Sequence, residues 1–149
     1  MSDVGIPHRL LLACEAFGPR LPATAVAEAI SRGVQDAGMP EPDVCLLPSP
    51  QDERSDVREM LEELGFDERM RSARAVVIGA AQLHERTFDG SAAFEIATRA
   101  RQGGVPAYAI AGESTLELFD ARILDLQLIL RARSRPALVM AGLALAQLA

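Results

Sequence analysis

Short apolar runs alternate along this chain with longer stretches in which apolar positions recur every three or four residues. The run "HRLLLACEAF" (8–17) is compact enough for a buried strand, and Pro19 and Pro22 break the turn behind it. In "ATAVAEAISRGVQDAG" (23–38) Ala25, Val26, Ala29, Ile30 and Val34 fall on one helical face, and Gly38 and Pro40 stop the helix. "DVCLLP" (43–48) predicts a second strand, and the very polar "SPQDERSD" (49–56) a loop. "DVREMLEELGFDERMRSA" predicts a helix ending near Gly65 and a further helical turn started by Asp67. "RAVVIGA" (74–80) is a third strand, 91–102 a helix closed by Gly103 and Gly104, and "VPAYAIAG" (105–112) a fourth strand. "ARILDLQLIL" (121–130) fits a helical turn or a strand, and a fifth strand at about 126–130 is the expectation adopted. Ser134 as N-cap and Pro136 in the first turn open a final helix.

Strands apolar on both faces, alternating with helices, imply a parallel sheet covered on both sides. Right-handed crossovers then restrict the fold to a three-layer, doubly wound α/β domain with a mainly parallel five-stranded sheet, Rossmann- or flavodoxin-like. The chain is too short for a closed eight-stranded barrel, and one domain over 1–149 is expected.

Composition narrows the function classes. Hydrophobic residues make up 49% of the chain, so a packed core is expected. The formal charge is -6, with acids interleaved among the cations, which argues against nucleic acid. All 15 Lys+Arg positions are arginine, which excludes a Schiff-base lysine or a lysine phosphate clamp. Cys14 and Cys45 lie in apolar runs and are expected as buried thiols. No signal peptide or membrane-spanning run is evident, so a cytoplasmic protein is expected.

In doubly wound sheets ligands bind beyond the carboxyl ends of the strands, where strand order reverses. That rule gathers the loops Cys14–Pro22, Pro48–Asp56, Gly79–Gly90, Gly112–Thr115 and the turn near 131–134. A dinucleotide site fails, because "CEAFGPRLP" has one glycine and two prolines where GxGxxG is needed. A thiol site would combine Cys14, His84 as base and Glu113 as orienter. A phosphoryl-transfer site would draw acids from Glu15, Asp52 and Glu53, with Arg20 and Arg86 as clamps. Spacing alone does not choose between these and an ordinary charged rim.

"LACEAFGPRLPATAVAEAISRGV", "LGFDERMRSARAVVIGAAQLHERTFDGSAA" and "GGVPAYAIAG" together resemble the Rossmann-like domain of the bacterial two-domain glycerate kinases, over nearly the whole chain and in the same order. The resemblance implies a kinase ancestry with two departures. The family's chain leaves this domain after its second strand for a large second domain, whereas "PSPQDERSD" passes directly into the next helix. The family's first-loop aspartate and lysine fall on Glu15 and Gly18, and its third-loop glutamate, arginine, aspartate and lysine fall on Ala80, Gln82, His84 and Ser91. Phe17, Leu21, Gly79, Leu83, Thr87, Gly90 and Gly112 persist.

The resemblance therefore implies a truncated, catalytically inactive pseudoenzyme that binds a small anion, organic acid or partner chain. The alternative is an active kinase completed by a second subunit. Catalytic candidates are Glu15, His84 and Glu85. Ligand-binding candidates are Phe17, Arg20, Asp52, Glu53, Gly79, Arg86, Thr87, Gly112 and Glu113. No metal site is expected, ATP and Mg2+ entering only with kinase activity. No nucleic-acid or membrane partner is expected, and the apolar last helix suggests a homodimer.

Overall fold

A computed structural model of the chain describes residues 9–47, 56–83, 91–114 and 125–149. Five strands, β1 (Leu10–Cys14), β2 (Asp43–Leu46), β3 (Ala75–Leu83), β4 (Ala107–Ser114) and β5 (Leu126–Arg131), form one sheet in the order β2-β1-β3-β4-β5. Every neighbouring pair is parallel. The expected doubly wound fold is therefore present, and its strand order is the flavodoxin-like one. After β1 the chain moves outward to β2, then returns to lay β3 on the other side of β1. The junction of β1 and β3 is thus the point where strand order reverses.

Because side chains alternate across a strand, each strand feeds two cores. Leu11, Ala13, Val76, Ile78, Ala109 and Ala111 pack beneath α2 (Val57–Glu63), α3 (Phe66–Arg71) and α4 (Ala92–Gln102), around Leu61, Phe66 and Ile96. Leu10, Leu12, Cys14, Val77 and Ile110 pack beneath α1 (Ala23–Asp36) and α5 (Arg135–Leu148), around Ile30, Leu138 and Leu145. With so few aromatics, small residues carry much of this packing. They let α1 and α5 touch backbone to backbone: a Cβ on Gly33 would stand 1.9 Å from the Val139 carbonyl oxygen, and one on Gly142 2.3 Å from that of Ile30.

The helix starts follow the sequence signals. Asp56, Ser91 and Ser134 accept hydrogen bonds from the backbone N–H of Arg58, Phe94 and Ala137, and Pro136 sits in the first turn of α5. α3 begins at Phe66, one residue before the expected Asp67, behind Gly65 in the left-handed region at φ 63°. Arg69 of α3 ties this layer to the sheet edge: its guanidinium binds both carboxylate oxygens of Asp43 and donates to the Val44 and Leu64 carbonyls. No helix among the described residues is long and apolar enough to cross a membrane.

Two strands run further than the apolar pattern predicts. β3 continues past Ala80 to Leu83 and β4 past Gly112 to Ser114, through the register pairs Gln82 with Glu113 and Leu83 with Ser114. The pairing is backbone pairing, so the polar Gln82 and Glu113 hide it from a hydrophobicity reading. β1 is shorter than expected, ending at Cys14 before the chain turns at Glu15.

Candidate functional site

The carboxyl edge at the β1–β3 junction brings together the turn after β1, the end of β3 and the turn after β5. Glu15 follows the last residue of β1, and its backbone N–H donates to the Gly79 carbonyl at 3.0 Å, continuing the parallel ladder for one residue. Its side chain then crosses to β3, where Oε1 accepts the Ala81 N–H at 2.9 Å. Burial pushes this carboxyl above its ordinary value, and the Ala81 N–H partly offsets the rise by stabilising the charged form. Beyond Glu15, the Phe17 N–H donates to the Leu21 carbonyl and the Leu21 N–H to that of Gly18, so the chain folds into a tight turn before α1. Gly18 takes φ 129° within that turn.

Phe17 reaches across β3 to Gly112 of β4. A Cβ on Gly112 would stand 3.5 Å from Phe17 Cδ2 and only 2.8 Å from the Ala81 carbonyl oxygen. From the other side, Arg133, just beyond β5, donates its Nε–H to the Gly112 carbonyl at 2.9 Å. Gly112 is thus the meeting point of the loop after β1, the extension of β3 and the turn after β5.

Several expected ligand residues occupy other places. Gly79 and Gly112 lie inside strands, as the expected strands 74–80 and 105–112 place them, and β3 and β4 extend beyond both. Gly79 pairs with Cys14, and a Cβ there would stand 3.0 Å from Cys14 Sγ. Its smallness makes room for the thiol. Arg20 is exposed on the turn, and Glu113 is half-buried beside Gly112. Ala80, where the resemblance puts a catalytic acid, is buried in the core, and Ser91 caps α4. Gln82 is exposed at the end of β3. Asp52, Glu53, His84, Glu85, Arg86, Thr87 and Gly90 lie outside the described residues.

The thiol alternative finds no support in the geometry of Cys14. The residue is fully buried, and burial with the neighbouring Cys45 and Glu15 pushes its thiol up to about 12. A thiol so far from ionising is a poor nucleophile at neutral pH. Among the described residues no three His, Cys, Asp or Glu side chains come together as a metal-ion donor set. The described carboxylates of the carboxyl edge are Glu15, whose Oε1 accepts the Ala81 N–H, and the half-buried Glu113.

Arg133 escapes a sequence reading. The turn near 131–134 is flagged by its place in the topology, but Arg131, Arg133 and Arg135 look equivalent in sequence. Only the contact with Gly112 distinguishes one of them. At the opposite edge of the sheet, a cleft of about 290 Å³ is lined by Arg9, Leu10, Asp43, Glu68, Arg69, Ser72 and Ala73. Its Asp43 and Arg69 already satisfy each other.

The class of protein is therefore a doubly wound α/β domain whose polar groups gather at the carboxyl edge of its strand-order switch. More particularly, residues 51–141 match the model of the glycerate kinase family, and the chain belongs to that family. The match runs from the approach to α2 into α5, while β1, α1 and β2 precede it. No curated protein is a significant match to the chain.

Proposed function

We propose that this chain is a cytoplasmic, non-phosphorylating member of the glycerate kinase family that binds a small organic acid at the carboxyl edge of its sheet. The observation that carries this reading is the bond from Ala81 N–H to the Glu15 carboxylate across the β1–β3 junction. A phosphoryl-transfer site needs a carboxylate to hold a metal or take the substrate proton, and binding to the Ala81 N–H ties this half-buried one to the sheet. Here the acid is used as a brace between two strands.

The neighbouring positions agree with this reading. By the resemblance, a catalytic acid and a cation belong at Ala80 and Gln82, and a lysine at Ser91. Ala80 is a core methyl group and Ser91 a helix cap. Loss of one preorganised electrostatic group costs about 3 kcal/mol of transition-state stabilisation, and here several are replaced together. Only residues 47–56 join β2 to α2, where the resemblance places the exit to a second domain.

The test is direct. Purified protein supplied with ATP, Mg2+ and D-glycerate should turn over no faster than a blank. Measurable phosphorylation abolished by His84→Ala would overturn the reading in favour of an active kinase.

A further inference from the structure

We infer that β5 and α5 form a self-docking surface, on which a second copy of this chain pairs antiparallel and extends the sheet. The two edges of the sheet are built differently. β2 is four residues long and follows Pro42, and Arg69 holds its Asp43 carboxylate and Val44 carbonyl. Short length, proline and a covering charge all blunt an edge against further pairing. β5 is six residues long, contains no proline, and among the described residues pairs only with β4. Its irregular register falls early, and Ile129, Leu130 and Arg131 pair regularly with Ala109, Ile110 and Ala111. The Ala132 N–H turns inward to the Ala111 carbonyl, so by alternation the backbone groups of Ile129 and Arg131 face outward. Leu128, Ile129 and Leu130 are only half-buried.

α5 continues this surface. It meets α1 where Gly33 faces Val139 and Leu143 and where Gly142 faces Ile30, and its Leu138 and Leu145 enter the core. Met140, Ala144 and Leu148 recur every four residues and so form a stripe on the flank away from α1. Met140 is 62% exposed and Leu148 63%, and no charged residue occurs between Pro136 and Leu148. Other exposed helix surfaces carry charge, such as Glu28 and Arg32 on α1 or Glu59 and Glu62 on α2. A helix apolar on every side is one that packs on every side. Leu128 and Leu130 lie on the same side of the sheet as α5, which joins the strand edge to the stripe.

A two-fold axis through Ile129, perpendicular to the sheet, supplies what this surface lacks. Antiparallel pairing sets Leu128 against Leu130 of the other copy and satisfies the outward backbone groups. It also keeps both α5 helices on one side of the joined sheet. Charge selects the same occupant. Asp125 is exposed at the start of β5, and Arg131 and Arg133 are exposed at and beyond its end. Antiparallel copies bring each Asp125 to the arginines of the other, whereas parallel copies would set arginine against arginine.

Sedimentation equilibrium of the whole purified chain, with no ligand added, tests this. Wild type should be a dimer at micromolar concentrations. Asp125→Arg should raise the dissociation constant of the dimer by about tenfold or more, because like charges then meet at both ends of the pairing. Adding Arg131→Asp to that variant should restore the dimer. Met140→Glu changes an exposed position outside the core and should weaken the dimer by a similar factor. Circular dichroism shows which variants fold, and either single variant decides the matter if the other does not. Glu28→Arg, on the exposed face of α1, should leave the dimer unchanged. A monomeric wild type, or a dimer indifferent to both Asp125→Arg and Met140→Glu, would overturn the inference and leave the proposed function standing.

Discussion

The carboxylate of Glu15 and the backbone N–H of Ala81 meet at 2.9 Å, across the junction where the order of the sheet reverses. Ala81 lies between the buried Ala80 and the exposed Gln82, near the end of β3, so this bond adds to the packing of Leu83 in holding the strand end. Glu15→Ala should leave the Ala81 N–H unpartnered and cost about 1–3 kcal/mol in urea unfolding. Glu15→Gln keeps an acceptor of the same reach. It should unfold near the wild-type midpoint, and an equal loss in both variants would show that charge, not the bond, matters.

The pH dependence of the same site has a definite sign. The folded carboxyl titrates above its ordinary value because of burial. Between the unfolded and folded values the native state keeps a proton that the unfolded chain has released, so stability falls as pH rises through that window. Glu15→Gln removes the titration. Relative to wild type, its stability should therefore improve on going from acid to neutral pH, as read from urea midpoints across that range.

Asp43 should behave in the opposite sense. Hydrogen bonding and charge from Arg69 hold its carboxyl below the usual range. Its stabilisation is present above the unfolded value of about 3.9 and is lost as pH falls through the lower folded value. Asp43→Asn should cost about 1 kcal/mol at neutral pH, less at pH 3, because the partly exposed pair is hydrogen-bonded at both carboxylate oxygens.

The contact between α1 and α5 admits no side chain at Gly33 or Gly142. A methyl at either position would overlap a backbone carbonyl, so relief requires the helices to separate. Gly33→Ala and Gly142→Ala should each lower the unfolding free energy by about 1–3 kcal/mol or more, despite alanine's better helix propensity. Gly38→Ala, with open space around the added methyl, tests backbone strain alone at φ 94°.

Cys14 should react with iodoacetamide at neutral pH only as fast as the protein unfolds, since its thiol is buried and pushed up to about 12. Mass spectrometry of the labelled peptide with and without urea checks this. Rapid labelling of the folded protein would return the thiol to consideration as a nucleophile.

The element order was legible in the sequence because burial on both faces writes itself as unbroken apolar runs such as "LLLAC" and "AVVIG". Ser134 marks a helix start through a local hydrogen bond to Ala137, and Asp56 and Ser91 prove to cap their helices in the same way. The ends of β3 and β4 were not legible. Gln82 and Glu113 are joined by backbone pairing, which leaves no trace in side-chain hydrophobicity. Gly79 and Gly112 fall within the expected strands, but the neighbours that keep them small, Cys14, Phe17 and the Ala81 carbonyl, are set by contacts across the sheet.

By itself the sequence determined the alternating pattern, and with it the layered α/β class and the edge where polar loops collect. It also established the absence of lysine, which is a matter of residue identity. Tertiary structure decided what Glu15 and Arg133 do. Glu15 lies 66 positions from its Ala81 partner, and Arg133 lies 21 from Gly112. No local rule pairs residues so far apart. Only the parallel crossover that sets β3 against β1, and β5 against β4, turns one acid into a brace and brings one arginine to the Gly112 carbonyl.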